Sequence, residues 1–71
     1  MKLKDFEINK KYIITSINDD NIKRRLLDIG IIEGTIIEKV LKGDPSAYYY
    51  RGTVMALRSE IGSKIEGVPY E

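Results

Sequence analysis

This 71-residue chain contains no cysteine, no histidine and no tryptophan, and proline occurs twice. Without thiols there is no disulfide framework and no soft ligand set for zinc or an iron–sulfur cluster. Without imidazole the commonest general base at neutral pH is missing. Ser16, Ser46, Ser59 and Ser63 remain as nucleophiles, but none is spaced with an adjacent base and an oxyanion-stabilising turn. The chain is therefore expected not to be an enzyme and to use no cofactor. Calcium would need an alternating acidic loop with a closing Glu, which Asp19-Asp20 does not begin, and no metal site is expected. Gly30, Gly34 and Gly43 lie too far apart to form a glycine-rich phosphate cradle. No apolar run approaches the roughly 18 residues that span a bilayer, and Met1-Lys2-Leu3-Lys4-Asp5 lacks an apolar signal core. These two absences predict a cytoplasmic protein without membrane insertion. Twelve basic and eleven acidic residues leave a formal net charge of +1, too little for a global field that would hold nucleic acid.

What the chain does have is β-branched aliphatic residues, which suit a pleated surface better than a helix. Its length allows one hydrophobic core, hence a single domain over residues 1–71. Strand formers run from Lys11 to Ile17. Asn18-Asp19-Asp20 then supplies capping side chains, and Ile22, Leu26 and Ile29 repeat at the spacing of one helical face, widened by Leu27. The helix is expected to end near Ile29, with Gly30 as its left-handed cap. Glu33-Gly34-Thr35 reads as a turn, Thr35 to Leu41 as a second strand, and Lys42-Gly43-Asp44-Pro45-Ser46 as the clearest turn. Ala47 to Arg51 and Thr53 to Arg58 follow as strands on either side of Gly52. A short helical turn from Ser59 and a last edge strand from Ile65 to Val68 complete the chain. The expected fold is mostly β: a small SH3-like barrel of about five strands with one inserted α-helix and a short C-terminal helical turn, an OB-like barrel being the nearest competitor.

Two stretches carry more specific information. The first is Arg24-Arg25-Leu26-Leu27-Asp28-Ile29-Gly30-Ile31-Ile32-Glu33-Gly34-Thr35; the second comprises Gly43-Asp44-Pro45, Arg51-Gly52 and Ala56-Leu57-Arg58. Together they resemble the FeoA family, in which a helix ending in an Arg-Leu-Leu motif runs into a turn and is followed by Gly-Asp-Pro, Arg-Gly and Leu-Ala-Leu-Arg. The resemblance covers nearly the whole chain. It implies an SH3-like barrel and a cytosolic accessory role in bacterial ferrous iron uptake. The implied partner is a membrane ferrous iron transporter with a cytoplasmic GTP-binding domain, whose assembly or GTPase cycle the chain would modulate. Glu33 stands where Pro is usual, and the approach to Gly43 is shorter than usual. Gly62 and Gly67 replace small or branched apolar residues, so the last turn and strand are expected to be less ordered.

The candidate partner-binding residues are Arg24, Arg25, Leu26, Asp44, Tyr49, Arg51 and Arg58, while Gly30, Gly34, Gly43, Pro45 and Gly52 are expected to shape turns. Arg24 and Arg25, with Lys23, form either a solvated helix face or a basic patch for an acidic protein surface; Asp20 is placed to pair with Arg24. Leu26, Leu27 and Ile29 read as core, with a groove-edge anchor as the alternative for a leucine. In a strand, Tyr48 and Tyr50 share one face and Tyr49 takes the other. An exposed Tyr beside Arg51 suits a protein interface, or a stacking platform in the alternative reading of a small nucleic-acid-binding barrel that uses Tyr48 to Tyr50. A proline-rich-peptide groove ranks third, for want of aromatics.

Overall fold

The computed structural model describes residues 1–70. Five antiparallel strands carry the chain: β1 (Lys11–Ile17), β2 (Ile36–Leu41), β3 (Ser46–Tyr50), β4 (Thr53–Leu57) and β5 (Ile65–Pro69). Helix α1 (Asp20–Asp28) is inserted after β1, and one turn of helix, α2 (Ser59–Gly62), precedes β5. The strands are hydrogen-bonded in the order β4-β3-β2-β1-β5. β1 is shared, pairing with β2 through Lys11 to Ile13 and with β5 through Tyr12 to Ile17. The register shifts between Ile14 and Ser16 against β5, and between Lys39 and Leu41 against β3. Such bulges bend a strand and increase its twist, which lets a short sheet curl into an SH3-like barrel. The β1 shift also turns Ile17 to the same side as Tyr12 and Ile14, and all three are buried.

Each end of α1 closes as its residues dictate. Asp19 accepts a hydrogen bond from the Ile22 amide at 3.0 Å and is the N-cap among the candidates Asn18, Asp19 and Asp20. At the other end Gly30 has φ +86, and the amides of Gly30 and Ile31 donate to the carbonyls of Leu27 and Leu26. This is a Schellman closure, with buried Leu26 and Ile31 as its apolar pair. Arg51 (φ 50) and Gly52 (φ 82) form the two-residue hairpin turn between β3 and β4, the left-handed pair that matches strand twist.

The N-terminal segment, without periodicity, gave no expectation of an element. Leu3–Asp5 is a 3-10 turn, and it delivers Leu3 and Phe6 to the core. Phe6 stacks on Tyr12 at 3.8 Å between centroids, and the Tyr12 hydroxyl accepts from the Glu7 amide at 2.9 Å. In β2 the inward positions continue from Ile37 to Lys39, a lysine only 4% exposed.

Gly62 and Gly67 do not loosen the C-terminal end, contrary to expectation, because both are buried within regular elements. A Cβ at Gly67 would lie 2.6 Å from the Ile13 carbonyl oxygen and 2.9 Å from Phe6 Cζ. Only glycine lets β5 approach β1 this closely while Phe6 covers it. At Gly62 the nearest atom to an added Cβ is 3.6 Å away, an ordinary contact. Gly67→Ala is therefore expected to cost about 2 kcal/mol or more through overpacking, while Gly62→Ala stays within about 1 kcal/mol of the parent. Urea unfolding of both variants, compared at unchanged m-value, checks the contrast.

Candidate functional site

Helix α1 lies on the barrel along a narrow line. Leu26 is 3% exposed and Ile22 half-buried, but Leu27 is 59% exposed and Ile29 also faces solvent. The expectation that Leu27 and Ile29 belong to the core is thus corrected. A single helix touching a curved surface buries one stripe, and Leu27, about 100° round the axis from Leu26, falls outside it.

Between α1 and α2 this leaves an apolar groove of about 240 Å³, lined by Ile22, Arg25, Leu26, Ile29, Leu57 and Ile61. It continues toward Ala56, Arg58 and Glu60. Leu26 forms its floor and is core, not a projecting anchor; the projecting apolar groups are Ile29 and the neighbouring Leu27. Arg25 and Arg58 stand on the rims. Arg24 is exposed on the same helix without lining the groove, and the expected Asp20–Arg24 ion pair is not formed. Lys23 pairs instead with Glu33, at 3.4 Å. Among the described residues no carboxylate lies within ion-pair distance of Arg24, Arg25, Arg51 or Arg58.

Two polar ties set the shape of this groove. The Tyr50 hydroxyl donates to the Ile29 carbonyl at 2.6 Å, pinning the C-terminal end of α1 to β3. Asp44 accepts from the Ser59 amide at 2.9 Å and from the Ser59 hydroxyl at 3.0 Å, fastening the β2–β3 loop to the start of α2. The Ser59 amide bond, then the Ser59 hydroxyl bond, hold the Asp44 carboxyl below the ordinary aspartate range; desolvation opposes them and nearby Arg58 adds to them. Both carboxylate oxygens of Asp44 are thus engaged within the fold, as a clip between the loop and α2. The loop around it turns through Gly43 (φ 134) and a cis Asp44–Pro45 bond.

The remaining candidates sit elsewhere. Arg51, at the hairpin tip, reaches toward Gly30, its guanidinium 3.7 Å from where a Cβ on that glycine would be. That places a cation beside the negative end of the α1 dipole. Tyr49 is 45% exposed on the outer face of the sheet, across from Glu38 and Val54. Tyr48 and Tyr50 share the inner face and are buried, as the alternation predicts. A three-tyrosine stacking platform does not exist, since Tyr49 alone is accessible. Sequence reasoning missed Ile22, Ile29, Leu57 and Ile61 as groove residues, Ile29 having been assigned to the core; the Ser59-Glu60-Ile61 step was the only local signal for the last of these.

Five short strands, a helix laid over them and an apolar groove with charged rims make up a small SH3-like barrel. The chain belongs to the FeoA family: the FeoA domain model matches residues 1–69. The FeoA-like protein of Clostridium acetobutylicum is 28% identical, with a TM-score of 0.88 over 100% of this chain and 87% of that one. FeoA of Stenotrophomonas maltophilia, solved with zinc, is 25% identical over 94% of this chain and 88% of its own, with a TM-score of 0.83. It is described as a procaryotic SH3 domain protein and a candidate ferrous iron transport activating factor. The FeoA protein of Chlorobium tepidum shares the fold at a TM-score of 0.88 and 23% identity, over 100% of this chain and 71% of that one. No curated protein sequence is significantly similar. Among the described residues no group of three His, Cys, Asp or Glu is placed to hold a metal ion. No helix among them is long and apolar enough to cross a membrane.

Tyr50→Phe should cost about 1–2 kcal/mol, because it removes a hydrogen bond and leaves the Ile29 carbonyl without it; thermal and urea unfolding read this directly. A carboxyl held below its ordinary pKa stabilises the fold when ionised. That contribution is present above the unfolded-state value and is lost as pH falls through the folded one. The stability gap between parent and Asp44→Ala is expected to be open at neutral pH and to close on acidification, measured as a pair of urea midpoints against pH.

Proposed function

We propose that this chain is a cytosolic adaptor that docks on a membrane ferrous iron transporter through the α1–α2 groove and modulates the transporter's assembly or GTPase cycle. Membership of the FeoA family supports the pathway. The observation that carries the docking surface is the juxtaposition of an open apolar groove with arginines that, among the described residues, no carboxylate pairs. Arginine is enriched at protein interfaces and takes carboxylates bidentately, and an open aliphatic groove beside it can seat apolar side chains of a partner. The fitting occupant is a short cytoplasmic segment of the transporter that offers one or two aliphatic side chains with acidic neighbours. Nucleic acid fits less well, because Tyr49 is a single platform and the net charge is +1.

The test is calorimetric titration of the folded chain into the cytoplasmic G domain of its cognate transporter, and into the whole transporter in nanodiscs, at two salt concentrations. Saturable binding is expected, weakened about tenfold by Arg25→Glu, with the unfolding midpoint of the variant read alongside to separate lost contact from a loosened helix end. Absence of binding to either form of the transporter, or binding indifferent to Arg25→Glu and Ile29→Asp, would remove this reading. Salt-sensitive binding to single-stranded nucleic acid in its place would favour the other barrel class.

A further inference from the structure

Lys39 is a buried charge that the groove does not use. Its ammonium donates to the Lys4 carbonyl at 2.9 Å and lies 5.9 Å from the centre of the Tyr48 ring. Among the described residues no carboxylate comes within ion-pair distance of it. An ammonium has three donors, and one of them meets a protein acceptor here. Buried charges are normally paired, since desolvation is otherwise uncompensated. Burial, and next the neighbouring Lys42, draw the Lys39 pKa below the ordinary lysine value, while Asp5 acts in the opposite direction.

Lys39 lines a cleft of about 710 Å³ between the N-terminal turn, the β2–β3 loop and the start of α2. Lys4, Lys42 and Arg58 add three cations to its walls, against the carboxylates of Asp5 and Glu7. Glu7 is already paired with Lys10 at 3.0 Å, and neighbouring Asp44 is engaged by Ser59. Four cations against two carboxylates leave two positive charges in the lining, and including Lys10 and Asp44 does not change that balance.

We propose that this cleft binds a phosphate-bearing ligand, the phosphate seated among Lys39, Lys42 and Arg58. A phosphate dianion matches the excess of two charges and offers several acceptor oxygens to the ammonium and guanidinium donors that line the cleft. A lone carboxylate would leave one charge and most donors unanswered. The chain shows no phosphate-loop motif because the donors come from two separate segments, at positions 39 and 42 and at position 58, which the folded barrel brings to one cleft.

The test uses the full chain, labelled with nitrogen-15 and titrated with inorganic phosphate and pyrophosphate at ionic strength matched by sodium chloride. Vesicles containing phosphatidic acid, a phosphomonoester lipid, are compared in parallel with vesicles of phosphatidylcholine. Saturable shifts at the amides of Lys42, Gly43, Ser46 and Ser59 are expected. Lys42→Ser should weaken binding about tenfold, and Lys39→Met, which keeps the buried stem, at least as much. Lys42 is exposed, so its variant tests the site even if Lys39→Met alters stability. Response to the free anions alone assigns the phosphate to a solute; response to phosphatidic acid but not phosphatidylcholine assigns it to a lipid headgroup. Shifts that sodium chloride reproduces, shifts that neither substitution changes, or silence from anions and vesicles alike would overturn the proposal.

Discussion

The seating of α1 is the constraint on which the rest depends. Nine residues are too few for a helix to persist alone in water, and this one buries a single side chain fully. Its place is therefore set at its ends. The Asp19 cap starts it, the Gly30 closure carries the chain from Leu26 directly to Ile31 in the core, and the Tyr50 hydroxyl holds the Ile29 carbonyl. Because the last tie comes from β3, the helix follows the curl of the sheet. The bulges in β1 and β2 and the close approach of Gly67 to β1 set that curl in turn.

α2 plays the matching part on the other side. Its Ile61 faces the groove, while Ser59 and Gly62 border the basic cleft, and Arg58 just before it reaches both. One helical turn thus separates two surfaces of different chemistry, one apolar with arginine rims and one lined by lysines. The Asp44–Ser59 clip fixes the orientation of that turn. An event in the cleft and an event in the groove would therefore meet at the same few residues, Arg58 and Ser59.

Much of this was legible in the sequence where local chemistry decides structure. β1 has the limits that its strand formers indicate, the α1 cap and closure fall where Asp19 and Gly30 place them, and alternation through Tyr48-Tyr49-Tyr50 separates inner from outer faces correctly. What was not legible depends on partners distant in the chain. The N-terminal turn has no periodicity, and Leu3 and Phe6 become core only because the barrel has an open end for them to fill. Asp44 looks like a turn residue, and its bond to Ser59 crosses 15 positions. Gly67 looks like a weak spot in a strand until the Ile13 carbonyl is set beside it. Lys39 follows the inward alternation from Ile37, but its charge argues for the surface, and only the Lys4 carbonyl resolves the conflict. Leu27 misleads in the opposite direction, since hydrophobicity argues for burial and the narrow contact of one helix leaves it outside.

The central claim is that the α1–α2 groove is where this FeoA-family chain meets its transporter, and methyl cross-saturation in the complex tests it most directly. With the chain deuterated and its isoleucine methyls protonated, irradiating the protonated transporter should attenuate Ile22, Ile29 and Ile61 and spare Ile13 and Ile36 on the outer face of the sheet. Attenuation confined to Ile13 and Ile36, with the groove methyls untouched, would contradict it.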